Sequence, residues 1–191
     1  MIMRIIGGKF RGTNLHMLKN GNTRPLKDMA RESIFNLLIH SNKISFNLEK
    51  SNILDLYAGT GSFGLECLSR KAEHVCFIEN EKLAFKILNK NIEKLKTKEK
   101  TKTFFGDVLH ILKKDYILSN KFDLIFCDPP FKDRKMEELI KLISKKKLLK
   151  KNGIIILHRN KDQIENLPDL FAALDKRIYG VSKIIFGKLL S

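Results

Sequence analysis

The chain has 191 residues, of which 43% are hydrophobic and 30% are charged, so it can form one folded domain with a small appendage. Its 37 Lys and Arg against 21 Asp and Glu give a net charge of +16, which indicates a polyanionic partner or, alternatively, a solvated lysine-rich surface. The apolar runs are too short for a membrane span, and a basic residue comes too early for a secretory leader. The three cysteines are isolated from one another, which argues against a structural metal. We therefore expect a cytoplasmic protein in a reducing compartment.

The first 51 residues differ in pattern from the rest. Gly7-Gly8, between two short extended segments, predicts a two-residue hairpin turn. The apolar spacing after Pro25 predicts a helix that ends near residue 40. We therefore assign residues 1–51 to an N-terminal hairpin and helix whose arginines suit contacts with phosphates, and residues 52–191 to the main domain.

From residue 52 onward, short apolar runs alternate with amphipathic stretches. The pattern predicts strands at residues 52–57, 74–79, 102–106, 122–127 and 153–159, and helices at residues 64–70, 82–96, 108–114 and 136–146. A further helix is predicted at residues 170–174, followed by strands at 177–179 and 183–190 that are joined by a turn at Gly180. This alternation is typical of an α/β fold with a mostly parallel sheet and an antiparallel C-terminal edge strand.

A glycine-rich turn follows the first of these core strands. Gly59, Gly61 and Gly64 form a G-x-G-x-x-G pattern where a strand passes into a helix, and such a turn lets a ligand approach the backbone closely. Glu79 ends the next strand, where its carboxylate can accept hydrogen bonds from ribose hydroxyls. Together they predict an adenosine-type cofactor, and a dinucleotide remains possible from these residues alone. A glycine turn that serves only for packing is the alternative.

Asp107 follows the third core strand. Its carboxylate can receive the exocyclic amine of an adenine. Asp is also a favourable N-cap residue for the helix predicted from residue 108, and both roles are compatible.

The fourth core strand ends in Asp128-Pro129-Pro130-Phe131. The prolines fix φ and remove two backbone donors, so that a carboxylate, an outward carbonyl and an aromatic ring follow one another. An exocyclic base amine is a poor nucleophile, and these groups can hold it in line with an electrophilic methyl group. A strand that simply stops at a Pro-Pro turn is the alternative interpretation.

These motifs resemble those of S-adenosylmethionine-dependent methyltransferases with the Rossmann-like class I fold. More narrowly, the chain is similar to the bacterial small-subunit (16S) ribosomal RNA guanine-N2 methyltransferases. The similarity extends to residues 4–12, 23–36, 65–70 and 179–180, and so covers nearly the whole chain. The family more often has Thr, Arg and Val at the positions of Leu26, Met29 and Ala30, so one basic contact to RNA is absent at Met29.

The resemblance implies that S-adenosylmethionine is the cofactor and that its methyl group passes to the 2-amino group of one guanine in small-subunit ribosomal RNA. The implied cofactor-binding residues are Asp55, Tyr57, Gly59, Gly61, Glu79, Asp107 and Asp128, and the implied catalytic residues are Asp128, Pro129, Pro130 and Phe131. The expected RNA-binding residues are Arg4, Lys9, Arg11, Arg24, Lys27, Arg31, Lys132, Arg134 and Lys135. We expect a monomer that acts on an assembled or partly assembled ribosomal particle, without a metal.

Two other classes of function remain open at this stage. The chain could methylate DNA or a protein amide, although it has no room between strands for a DNA target-recognition insert. It could also be a ribosome-binding module that holds the cofactor without turnover.

Overall fold

The computed structural model describes residues 3–18, 28–114, 121–130 and 132–190. The predicted site residues Arg24, Lys27 and Phe131, and the predicted helix start at Pro25, lie outside these ranges. Within the described ranges, no helix is both long enough and apolar enough to cross a membrane.

Strands and helices alternate through most of the described chain. The strands are β1 (Met3–Arg4), β2 (Asn14–Leu15), β3 (Asn52–Leu56), β4 (His74–Glu79), β5 (Thr101–Phe105), β6 (Phe122–Cys127), β7 (Leu149–Asn160), β8 (Phe171–Tyr179) and β9 (Ser182–Leu189). The helices are α1 (Asp28–His40), α2 (Ser62–Ser69), α3 (Lys82–Lys94), α4 (Val108–Lys113) and α5 (Met136–Lys145), with a short 3₁₀ helix at Lys98–Lys100.

The main sheet has seven strands in the order β5-β4-β3-β6-β7-β9-β8. The first five are parallel, whereas β9 runs antiparallel to both β7 and the edge strand β8. The predicted fold class is therefore confirmed. The strand order reverses between β3 and β6, and in open α/β sheets ligands bind at the carboxyl ends of the strands beside such a reversal.

Local sequence sets where the helices next to this edge begin. Gly61 precedes α2 with φ 86°, a left-handed conformation that favours glycine. The Glu81 side chain caps α3 by accepting hydrogen bonds from the amides of Leu83 and Ala84 at 3.0 and 2.5 Å. Both helices therefore start shortly after a strand, at the carboxyl edge of the sheet.

The prediction of a hairpin turn at Gly7-Gly8 is wrong. β1 pairs with β2 instead, and the two glycines allow the backbone to lie against the end of α2. The Lys9 amide donates to the Ser69 carbonyl at 2.7 Å, and a Cβ added to Gly8 would lie 2.0 Å from that carbonyl oxygen. Close packing rather than chain reversal therefore explains this glycine pair.

The prediction of a helix at residues 170–174 is also wrong, because β8 begins at Phe171. Phe171 pairs with Leu189 of β9, and its ring lies over Gly187, where an added Cβ would be 2.1 Å from the ring. The short apolar run is compatible with either structure in isolation. Pairing with β9 decides in favour of the strand.

The N-terminal segment packs into the same hydrophobic cluster as one face of the sheet. Glu66 on α2 is fully buried, and its carboxylate accepts the amides of Ile6 and Gly7 at 2.7 and 2.8 Å and Arg70 Nε at 2.8 Å. Asn91 on α3 accepts the His16 amide at 2.8 Å. Buried polar side chains of the sheet-flanking helices thus fix the front of the chain.

Candidate active site

The turn after β3 is held by a carboxylate from the strand itself. Asp55 is buried, and its Oδ2 accepts the Gly64 amide at 3.0 Å across the turn. Between them the backbone enters the left-handed region at Tyr57, Gly59 and Gly61, with φ 61°, 57° and 86°. Tyr57 adopts this conformation despite carrying a side chain, which is typical of functional turns.

The three glycines of this turn have different reasons to be glycine. An added Cβ at Gly61 would lie 2.4 Å from the Leu88 side chain, and one at Gly64 would lie 2.4 Å from the ring of Phe77. An added Cβ at Gly59 would meet nothing within 4 Å. Packing therefore accounts for Gly61 and Gly64, whereas the space beside Gly59 is open to a ligand.

Glu79 lies where the sequence predicts it, at the carboxyl end of β4. Its Oε2 accepts the Gly59 amide at 2.6 Å, and its Oε1 accepts the Glu81 amide at 2.6 Å. The side chain is thereby fixed against the glycine turn. Each carboxylate oxygen has two acceptor sites, so the group can still accept hydrogen bonds from a ligand.

Three carboxyl groups lie close together at this edge of the sheet. Burial raises the pKa of Asp55 well above its usual value, the Gly64 amide lowers it in part, and the neighbouring charges of Asp128 and Glu79 raise it further. The amides of Gly59 and Gly64 already donate to two of these carboxylates. The turn therefore offers an acidic environment rather than the free amides that bind a pyrophosphate.

Asp107 is an exposed N-cap, as one of its two predicted roles requires. Its Oδ1 accepts the His110 amide at 2.9 Å at the start of α4. The predicted contact with adenine stays a prediction.

Asp128, at the end of β6, is paired with a histidine that sequence analysis did not select. His158 Nδ1 lies 2.7 Å from Asp128 Oδ1. The two residues are neighbours because β6 and β7 run parallel with Cys127 opposite Leu157. Spacing along the chain carries no sign of this pair, so only strand register could have revealed it.

A buried arginine supports the segment that follows Asp128. Arg159 has no exposed surface, and its guanidinium donates to the carbonyls of Pro130 at 3.5 Å and Asp133 at 2.6 Å. Its Nε also donates to Glu165 at 2.5 Å. Arg159 thus connects the Pro-Pro turn to the chain after β7, a role that sequence analysis missed. Pro129 itself is buried.

Six of the predicted RNA-binding residues have exposed side chains. They are Arg4, Lys9, Arg11, Lys132, Arg134 and Lys135. Arg31 requires a correction, because its side chain is fully buried and donates to the Arg4 carbonyl at 2.6 Å. It holds α1 against β1 and does not present its guanidinium to a phosphate.

Comparison with known proteins agrees with this geometry. A family model described as "Conserved hypothetical protein 95" matches residues 3–188. Ribosomal RNA small subunit methyltransferase D of Haemophilus influenzae is 33% identical over 180 residues, covering 94% of this chain and 90% of the relative. The chain therefore belongs to the ribosomal RNA small subunit methyltransferase D family. The relative of the same name from Escherichia coli is 30% identical over 164 residues, covering 86% of this chain and 76% of the relative.

Solved structures support the same assignment of fold. A protein from Escherichia coli described as methyltransferase yhhF superimposes with a TM-score of 0.84 and 26% identity, covering 99% of this chain and 98% of that one. A more distant neighbour, described as a methyltransferase complexed with SAH, has a TM-score of 0.66 at 16% identity and shows the fold alone. The match covers 83% of this chain and 49% of that one. The chain therefore has the sheet of class I methyltransferases.

Proposed function

We propose that the protein transfers the methyl group of S-adenosylmethionine to the 2-amino group of a guanine in small-subunit ribosomal RNA. The observation that carries the proposal is the position of Asp128-Pro129-Pro130 beside Asp55 and Glu79, at the carboxyl ends of adjacent strands. The names of the relatives support the substrate class. The acidic end of β6 supports an exocyclic amine as the acceptor, and the choice of the guanine 2-amino group follows from the resemblance of the sequence motifs to the guanine-N2 methyltransferases.

The acidic turn favours this cofactor over a dinucleotide. S-adenosylmethionine carries a sulfonium and an ammonium group, and both are attracted by the carboxylates of Glu79 and Asp128, which lie close enough to Asp55 to add to the rise that burial causes in its pKa. A pyrophosphate would instead meet like charge and amides that are already bonded. Gly59 leaves room for the cofactor, Glu79 can hold the ribose, and Asp107 can receive the adenine amine. When bound, the cofactor supplies an electrophilic methyl group.

The residues at the end of β6 would orient the amine. Asp128 and the Pro129 carbonyl accept its two hydrogens, which aims the nitrogen lone pair at the methyl carbon. The cofactor would supply the methyl group to this nitrogen and would keep the electron pair of the carbon–sulfur bond. Asp128 then takes the proton that the methylated nitrogen loses. Phe131, outside the described residues, is proposed as the ring on which the guanine stacks after it leaves its own stack.

The exposed basic residues that follow the Pro-Pro turn would bind phosphates near this site. Replacing Lys132, Arg134 and Lys135 together by Gln should weaken RNA binding and make it less dependent on salt. The slope of log affinity against log salt concentration should fall by about one for each phosphate that is no longer bound. The matched control replaces the exposed lysines at positions 96, 98 and 100, near the opposite edge of the sheet. Equal decreases in affinity in the two variants would mean that net charge alone, and not this surface, binds the RNA.

The proposed activity is tested with radiolabelled S-adenosylmethionine and four acceptors. These are unmodified small ribosomal subunits, naked ribosomal RNA, duplex DNA and total ribosomal protein. We expect label in N2-methylguanosine from the small subunits, and a weaker signal from naked RNA if the particle is the substrate. Asp128→Asn, which keeps the size of the side chain, should bind the cofactor and lose most turnover.

Each other outcome would replace part of the proposal. Label only in DNA or protein would keep the cofactor and change the substrate. Cofactor binding with no label in any acceptor would indicate an inactive binding module. Full turnover by Asp128→Asn would remove Asp128 from the chemistry.

A further inference from the structure

Neighbouring strands place His158 between Asp128 and Ser182. His158 lies on β7 beside the end of β6, and Ser182 begins β9 on the other side. The His158 Nε2 lies 2.8 Å from Ser182 Oγ, while Nδ1 makes the 2.7 Å contact with Asp128 Oδ1. Both nitrogens of this ring are therefore hydrogen-bonded, in a line that leads from β9 to the end of β6.

The chemistry of the partners assigns the protons along this line. An ionised carboxylate only accepts hydrogen bonds, so His158 Nδ1 donates to Asp128. In the neutral ring Nε2 then carries a lone pair, which accepts the Ser182 hydroxyl proton. The Asp128 carboxylate thereby fixes the ring tautomer, and the Ser182 hydroxyl, which can donate or accept, matches it by donating to Nε2.

The two members of the pair differ in exposure. The His158 side chain is 5% exposed and that of Asp128 is 23% exposed. His158 is thus covered by the protein, whereas part of the carboxylate remains accessible from outside. A bond to one carboxylate oxygen restricts rotation of the group, which leaves the second oxygen in a defined direction.

We propose that His158 is a positioning residue for methyl transfer, and that it acts by holding Asp128 so that the second carboxylate oxygen meets the amine. This inference rests on the proposed function. His158 keeps its own proton throughout and touches neither substrate nor cofactor. Its contribution is geometric, and a displacement of about 1 Å in a reacting group can lower a rate by up to about 100-fold.

The experiment compares two substitutions of His158 in the full chain. Asn can donate from a position close to that of Nδ1, whereas Leu fills a similar volume and cannot donate. We expect His158→Leu to lower kcat on unmodified small subunits by about 10- to 100-fold, with the KM for S-adenosylmethionine and the melting temperature little changed. His158→Asn should recover most of the loss. His74→Leu, at the exposed amino end of β4, is the control and should retain wild-type turnover.

Nitrogen-15 NMR of labelled histidine gives a readout that does not depend on activity. The wild-type spectrum should show His158 with its proton on Nδ1, and Asp128→Asn should reduce the population of that tautomer, because an amide can donate to the ring as well as accept from it. His158→Leu with kcat within about twofold of wild type, well below the expected effect, would overturn the proposal. The proposal would also be overturned if kcat fell equally in the Asn and Leu variants and in proportion to their melting temperatures, because such a result indicates a purely structural role. Inactive wild-type protein would instead overturn the proposed function, and the two failures are therefore distinguishable.

Discussion

The buried carboxylate of Glu66 should be one of the most stabilising side chains of the N-terminal segment. It accepts two backbone amides, from Ile6 and Gly7, and the Nε of Arg70, all within 2.8 Å. Glu66→Gln preserves shape but turns one acceptor into a donor, so one buried amide faces another N–H. Hydrogen bonds to charged groups contribute about 1.5–3 kcal/mol each, and an unsatisfied donor costs about 1–3 kcal/mol. We therefore expect the free energy of unfolding to fall by about 2–4 kcal/mol.

Urea unfolding measures this decrease, and the melting temperature should fall by roughly 10 °C for a chain of this size. Hydrogen exchange at the amides of Ile6 and Gly7 should accelerate before that of the sheet. Glu49→Gln is the matched control, because Glu49 makes a 3.5 Å surface ion pair with Lys71 and both side chains are more than half exposed; its effect should stay below about 1 kcal/mol. A Glu66→Gln protein within about 0.5 kcal/mol of wild type would refute the reasoning.

Four further substitutions test the site. Burial raises the pKa of Asp55, so the folded protein loses stability as pH rises from about 4 through that raised pKa. Without ligand, the melting temperature of Asp55→Asn should therefore exceed that of wild type by a margin that grows with pH. A margin that stays constant with pH would contradict this. Gly59→Ala should weaken S-adenosylmethionine binding in calorimetry and lower the melting temperature only through the strain of its left-handed backbone. Gly61→Ala has the same kind of strain and also collides with Leu88, so it should lower the melting temperature further, and the reverse order would be inconsistent with the open space at Gly59. Arg159→Lys keeps the positive charge but loses the planar guanidinium that donates to Glu165 and to the Asp133 carbonyl at once. Steady-state kinetics should therefore show a larger decrease in kcat than in cofactor affinity.

The sequence predicts the parallel part of the sheet well because buried strands are continuous apolar runs. β4 and β6 begin and end at the predicted residues, and the glycine turn and Glu79 lie together as expected. The predictions fail where contacts between residues far apart in the sequence determine the local structure. The run from Leu170 becomes a strand through pairing with β9, and Gly7-Gly8 packs on α2.

The same limit applies to the candidate site. Motifs next to one another in sequence identify Asp128 and the prolines that follow it. His158 is 30 residues from Asp128 and Arg159 is 26 residues from Asp133, and both pairs become visible only when β6 and β7 are in register. Arg31 shows the converse error, since composition marks it as a surface cation and the fold buries it.

The attachment of the front of the chain to α2 and α3 has a consequence for the order of folding. The partners of Gly7 and His16 on these helices are 59 and 75 residues further along the chain. Because a ribosome releases a protein from its amino end, Gly7 and His16 emerge before their partners on α2 and α3 have been made. Contacts of such high sequence separation form slowly. This segment is therefore synthesised before α2 and α3 and acquires its final structure only after them.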